Sequence, residues 1–114
     1  MASIAPLNEF KSVPFKVTTS PQTIYTTPIA IATIVLKIQV ANVSDVPDNV
    51  AWITVSHLRG STSTKIIYKG PILANDFSIV SDGKLVLQEG DSIQVNGSGN
   101  NVLELIMSCL ETSA

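Results

Sequence analysis

Apolar and polar residues alternate along most of this chain with the two-residue period of a strand, and no window sustains an i, i+3, i+4, i+7 apolar stripe of helical type. Val, Ile and Thr are abundant. Their branched side chains are stiff at χ1 and fit a pleated surface. The strongest segment runs from Ile31 to Asn42. Strict alternation there points Ile34, Leu36, Ile38 and Val40 one way and Thr33, Val35, Lys37 and Gln39 the other. Ala51 to Arg59 repeats the pattern, with Ala51, Ile53 and Val55 against Trp52, Thr54 and Ser56. The polar turn Ser44 to Asn49 lies between these two segments, which predicts that they pair as a long hairpin.

Shorter strands are predicted at Gln22–Thr27, Thr64–Tyr68, Phe77–Val80, Lys84–Leu87 and Asp91–Val95. Turn signals at Ser20-Pro21, Gly60–Ser63, Lys69-Gly70-Pro71, Ser81–Gly83 and Gln88–Gly90 separate them. The run Asn96–Asn101 reads as a hairpin loop and Val102–Leu110 as the closing strand, with Leu103, Leu105, Met107 and Cys109 on one face. Residues 1–9 read as an irregular arm. Phe10–Thr19 reads as an extended segment that Pro14 confines to an edge or a bulge. The expected organisation is therefore an extended N-terminal arm or first edge segment over 1–19 and one domain over 20–114. The expected fold is all-β, an antiparallel sandwich of jelly-roll or immunoglobulin-like type with about eight strands.

Composition adds one anomaly. Charged residues make up 14% of the chain, against about 25% in an ordinary soluble domain. The apolar runs are far short of the roughly 18 residues a membrane helix needs, so no membrane partner is expected. The seven Lys and Arg are scattered and the net charge is −2, which argues against a nucleic-acid partner. One cysteine, Cys109, allows no intrachain disulfide. It reads either as a reactive thiol or, given its apolar neighbours, as a small buried residue. The N-terminal stretch lacks the basic and apolar regions of a secretory signal, so synthesis in the cytoplasm without a signal peptide is expected.

Candidate chemistry is sparse. His57 is the only histidine, and a nucleophilic site would need it as base. No nucleophile turn accompanies it. One His and one Cys do not make a zinc site. Asp45, Asp48, Asp76, Asp82 and Asp91 fall in predicted turns without calcium-loop spacing; such residues usually bond their own backbone. No catalytic residue, cofactor or metal is expected. Trp52 reads as a sugar-stacking platform or, more in keeping with its strand, as an interface anchor or a core residue of the second sheet. The second faces of the long strands, with Val35 on one and Ile106 on the other, are half apolar where a monomer would carry charge. Phe10, Phe15, Trp52, Val35 and Ile106 are accordingly the expected partner-binding residues.

Several segments carry a resemblance: Ile24–Pro28, the strand ending Val40-Ala41-Asn42-Val43-Ser44, Pro71–Asn75, Leu85–Ile93 and Leu105–Glu111. In this order they resemble small β-sandwich virion structural proteins of tailed bacteriophages, over roughly three-quarters of the chain. The resemblance implies a structural role without catalysis and a place in the virion. A capsid decoration (cement) protein that binds and stabilises the head lattice is the first expectation. A baseplate, neck or tail-fibre-associated component, and then a carbohydrate-binding host-attachment module, are the alternatives. The implied partners are further copies of the chain, as a trimer or dimer, and the phage major capsid protein or another virion protein.

Overall fold

A computed structural model describes residues 8–114; the first seven residues of the expected arm lie outside them. Among the described residues there are nine strands and no helix. They are β1 (Asn8–Lys16), β2 (Gln22–Thr26), β3 (Ile31–Asn42), β4 (Ala51–Arg59), β5 (Thr62–Ile72), β6 (Phe77–Ser81), β7 (Leu85–Leu87), β8 (Ser92–Gly97) and β9 (Leu103–Ser113). Two antiparallel sheets form. One has the order β1-β9-β3-β6, with β7 also on β3, and the other the order β2-β8-β4-β5. The pairs β1·β9, β2·β8, β3·β6 and β4·β5 are nested one inside the next, which is the wiring of a jelly roll. Strands β6 and β7 share one place in it, alongside opposite halves of β3.

The expected β3–β4 hairpin does not form. The two strands lie in different sheets, because the chain crosses the sandwich through residues 43–50 instead of turning back. Pro14 sits on an edge strand, where its missing N–H breaks no interior ladder. The core is built from both inner faces, with Val35, Ile38 and Val40 of β3, Ile53 and Val55 of β4, Ile93 and Val95 of β8, and the alternate residues Leu103, Leu105, Met107 and Cys109 of β9.

Strand β3 departs from strict alternation at one point. Val35 pairs with Cys109 and Lys37 with Ser108, so Leu36 is an extra residue without a partner, a β-bulge. A one-residue insertion exchanges the two faces of a strand. Thr33 and Val35 are buried before the bulge, Ile38, Val40 and Asn42 after it, and Ile34 and Leu36 face outward. This corrects the expectation that Ile34, Leu36, Ile38 and Val40 share one face. It also removes Val35 from the partner-binding set, since its side chain is fully enclosed in the core.

Gly97 shows how tightly the sheets close. Its φ is ordinary, yet a Cβ there would stand 2.9 Å from Val17 Cγ1, 3.0 Å from Leu103 Cδ1 and 3.2 Å from the Trp52 carbonyl oxygen. The Gly97→Ala variant is therefore expected to lose about 1–3 kcal/mol through overpacking. Thermal denaturation followed by circular dichroism checks it, and an unchanged midpoint would mean that Val17 and Leu103 yield freely.

Candidate interaction surface

Two buried carboxylates occupy one end of the sandwich. Asp91 immediately precedes β8 and is 1% exposed. Its oxygens accept from Arg59 Nε at 2.9 Å, Arg59 Nη2 at 2.7 Å and the Gln88 backbone N–H at 2.9 Å, and His57 Nε2 lies 3.0 Å away. The Arg59 hydrogen bond, ahead of the opposing effect of burial, holds the Asp91 carboxyl well below the usual carboxylate range. An Asp–His pair is two-thirds of a hydrolytic triad, but here the guanidinium neutralises the acid, and β4, β8 and the β7–β8 turn are tied together by it.

Glu111 is the second. It continues the inward alternation of β9 beyond Cys109. The Tyr25 hydroxyl, reaching across from β2 in the other sheet, donates to its Oε2, and Thr33 bonds the same phenol oxygen at 2.7 Å. Lys11 Nζ of β1 lies 3.2 Å from Oε1. Burial, then the bond to Glu111, pushes the Tyr25 phenol above its ordinary range. Cys109 is enclosed in the core and burial pushes its thiol up, so it is a packed side chain without thiolate character. Among the described residues no group of three His, Cys, Asp or Glu stands close enough to hold a metal ion.

At the opposite end Asn42 organises the crossover. Its amide donates to the Asn49 and Ile72 carbonyls, and its carbonyl oxygen accepts from the Ser44 N–H. The loops it braces expose Val43, Val46, Val50 and Leu73.

The outer faces of the two sheets carry different patterns of apolar and polar rows. On the β1-β9-β3-β7 face, Phe10, Leu110, Ile34 and Val86 stand in one registered row across four strands. Phe10 is 75% exposed and Val86 53%. Four residue pairs along the strands, a second row runs through Pro14, Ile106, Gln39 and Ile79. A depression of about 410 Å³ opens beside it, between Pro14, Gln39, Ala41 and Ile106. One row on the other sheet, Thr23, Gln94, Ser56 and Lys65, is polar throughout, while the same sheet also carries Trp52 and the exposed Tyr68.

Of the residues expected to bind a partner, the structure brings Phe10 and Ile106 together on the apolar face. Phe15 turns inward and packs against the core, and Trp52 belongs to the other sheet. The Lys69 ammonium stands over both rings, 5.4 Å from the Trp52 ring centroid and 5.4 Å from that of Tyr68. Sequence reasoning missed Leu110, Ile34 and Val86, which become neighbours only through strand register and the Leu36 bulge. The Asp91 and Glu111 clusters were missed as well. Glu111 had a legible signal in its parity with Leu103, Leu105, Met107 and Cys109.

No family model matches the chain, and no curated protein matches it. Among solved structures, it is similar to a chain from Bacillus endospore appendages, described as a novel family of disulfide-linked pili. The TM-score is 0.56 at 9% identity, with 99% of this chain and 97% of that one covered. It is similar, again at TM-score 0.56 and 9% identity, to a chain of the acidic stable capsid of Helicobacter pylori bacteriophage KHP30, with 96% of this chain and 90% of that one covered. At such identity the likeness is one of fold: this sandwich is a scaffold found in capsid and pilus subunits.

Proposed function

We propose that the chain is a non-enzymatic structural subunit of a tailed-phage virion, acting as a capsid decoration (cement) protein. The observation that carries this reading is the apolar outer face of the β1-β9-β3-β6/β7 sheet. Two rows that expose Phe10, Val86, Ile79 and Ile106, with the polar Ser12, Ser108 and Lys37 between them, cluster exposed apolar side chains on one face, and such clustering marks a protein–protein contact. The fold shared with a phage capsid chain and the sparse charge of the sequence support the same reading. The enclosed Cys109 sets the chain apart from disulfide-linked assembly, since its sulfur is out of reach of a neighbouring subunit.

The mechanism is thermodynamic. A protein that binds the assembled lattice and not the dispersed subunits stabilises the assembled state by mass action. The loop end that exposes Val43, Val46 and Leu73 is the surface proposed to meet the capsid. Adding the purified chain to heads that lack it tests the reading. The chain is expected to sediment with heads and to raise the temperature at which they disrupt. Sedimentation with isolated tails instead would move it to the baseplate, neck or fibre. Binding to neither particle would overturn the virion role.

A further inference from the structure

The apolar face leaves open which protein covers it. We infer that a second copy of this chain covers it, in a two-fold dimer that stacks the two β1-β9-β3-β6/β7 sheets face to face. The inference rests on the reading of the chain as a structural subunit and names the partner for that face.

Size is the first argument. Four strands at about 4.8 Å spacing and nine paired positions at about 3.3 Å rise make a face of about 19 by 30 Å, or about 570 Å² in projection. Side-chain relief raises the accessible area above the projected area, toward the roughly 800 Å² per partner of a stable complex.

Self-complementarity is the second. A two-fold axis lying in the interface and running along the strands sets every row opposite its own copy, with β9 facing β3 and β1 facing β6/β7. Leu110 then meets Ile34 of the second copy, and Phe10 meets Val86. The polar row between the two rows, Ser12, Ser108 and Lys37, likewise falls on itself, and its hydroxyl oxygens can accept from the Lys37 ammonium. The remaining charges on the face are already matched at its margin, where Lys16 Nζ lies 3.3 Å from Glu104 Oε2. The Phe10 row therefore sets apolar against apolar, the second row sets Pro14 against Ile79 and Ile106 against Gln39, and no like charges are forced together, the condition an isologous contact has to meet. Aligned stacking at about 10 Å is the ordinary way that two sheet faces pack. It leaves Val43, Val46 and Leu73, at the loop end, free for another protein.

The test is sedimentation equilibrium on the full chain, on Phe10→Asp and Ile106→Asp, and on Thr23→Asp as a control on the other sheet. All three positions are well exposed or on an outer face, so folding is preserved and is verified by circular dichroism. The parent and Thr23→Asp are expected to be dimers. Phe10→Asp and Ile106→Asp are each expected to raise the dissociation constant by about 30-fold or more, the size of a hot-spot loss. A monomeric parent at micromolar concentration, a trimer, or a dimer that survives both substitutions would overturn the inference. Head binding by a monomeric parent would leave the virion reading standing while the dimer fell. A sheet-face dimer that ignores heads would do the reverse.

Discussion

Replacing Asp91 with alanine is expected to lower stability by about 3 kcal/mol and the melting temperature by about 10 °C. The carboxylate is almost wholly enclosed and accepts two bonds from Arg59 and one from the Gln88 backbone, with His57 alongside. Its loss orphans the Gln88 N–H and unties β4 from the β7–β8 turn. The Arg59 side chain is 56% exposed and can turn to water, so the cost stays below that of leaving a fully buried cation unpaired. Asp91→Asn keeps an acceptor and loses the charge, and it is expected to fall between parent and alanine variant. The pH dependence follows from the depressed carboxyl. A group whose folded value lies below its unfolded value contributes stability above the unfolded value, about 3.9 for Asp, and loses that contribution as pH falls toward the depressed folded value. The gap between parent and Asp91→Ala should therefore be widest at neutral pH and narrow in acid below about pH 4. Denaturant melts at several pH values measure it, and a gap that stays constant into acid would mean that packing, not the charge, carries the effect.

How much of this was legible beforehand depended on the range of the interaction. The limits of β3 and β4 follow from local alternation between turn signals, and both strands begin and end where the sequence predicts. Their partners were not legible. Adjacent strands usually pair, and nothing local says that residues 43–50 carry the chain to the other sheet. Register was hidden for the same reason: Phe10, Leu110, Ile34 and Val86 are far apart in sequence and meet only through three separate ladders. The bulge at Leu36 is the instructive case. Reading Val35 as outward was sound for an unbroken strand, but one unpaired residue turned Val35 into core and set Ile34 and Leu36 on the surface. The charge deficit in the composition was visible from the start; the bulge is one of the places where it becomes an exposed apolar face.

The Glu111→Ala variant is expected to lose about 2–3 kcal/mol and, more tellingly, to change the alkaline side of the stability curve. Glu111 joins the sheets from within: Tyr25 comes from one, while Thr33 and Lys11 come from the other. Alanine leaves the Tyr25 phenol with Thr33 alone and the Lys11 ammonium to solvent. Glu111→Gln keeps an acceptor for Tyr25 and should recover part of the loss. Tyr25→Phe combined with each variant gives the coupling between phenol and carboxylate, expected to be about 1–2 kcal/mol for groups in direct contact. Two groups here have raised values in the folded protein: Tyr25, by burial and then the bond to Glu111, and Lys11, by its bond to Glu111. For a raised group the contribution is complete below the unfolded value, about 10 for both, and is lost as pH climbs through the folded value. The parent should therefore lose stability steadily above about pH 10. In Glu111→Ala the Lys11 contribution disappears and Tyr25 keeps only the part due to burial, so the decline should be shallower. Parallel alkaline curves for parent and variant would show that the carboxylate does not hold these two protons, and that the tie between the sheets rests on the Tyr25–Thr33 bond and on packing alone.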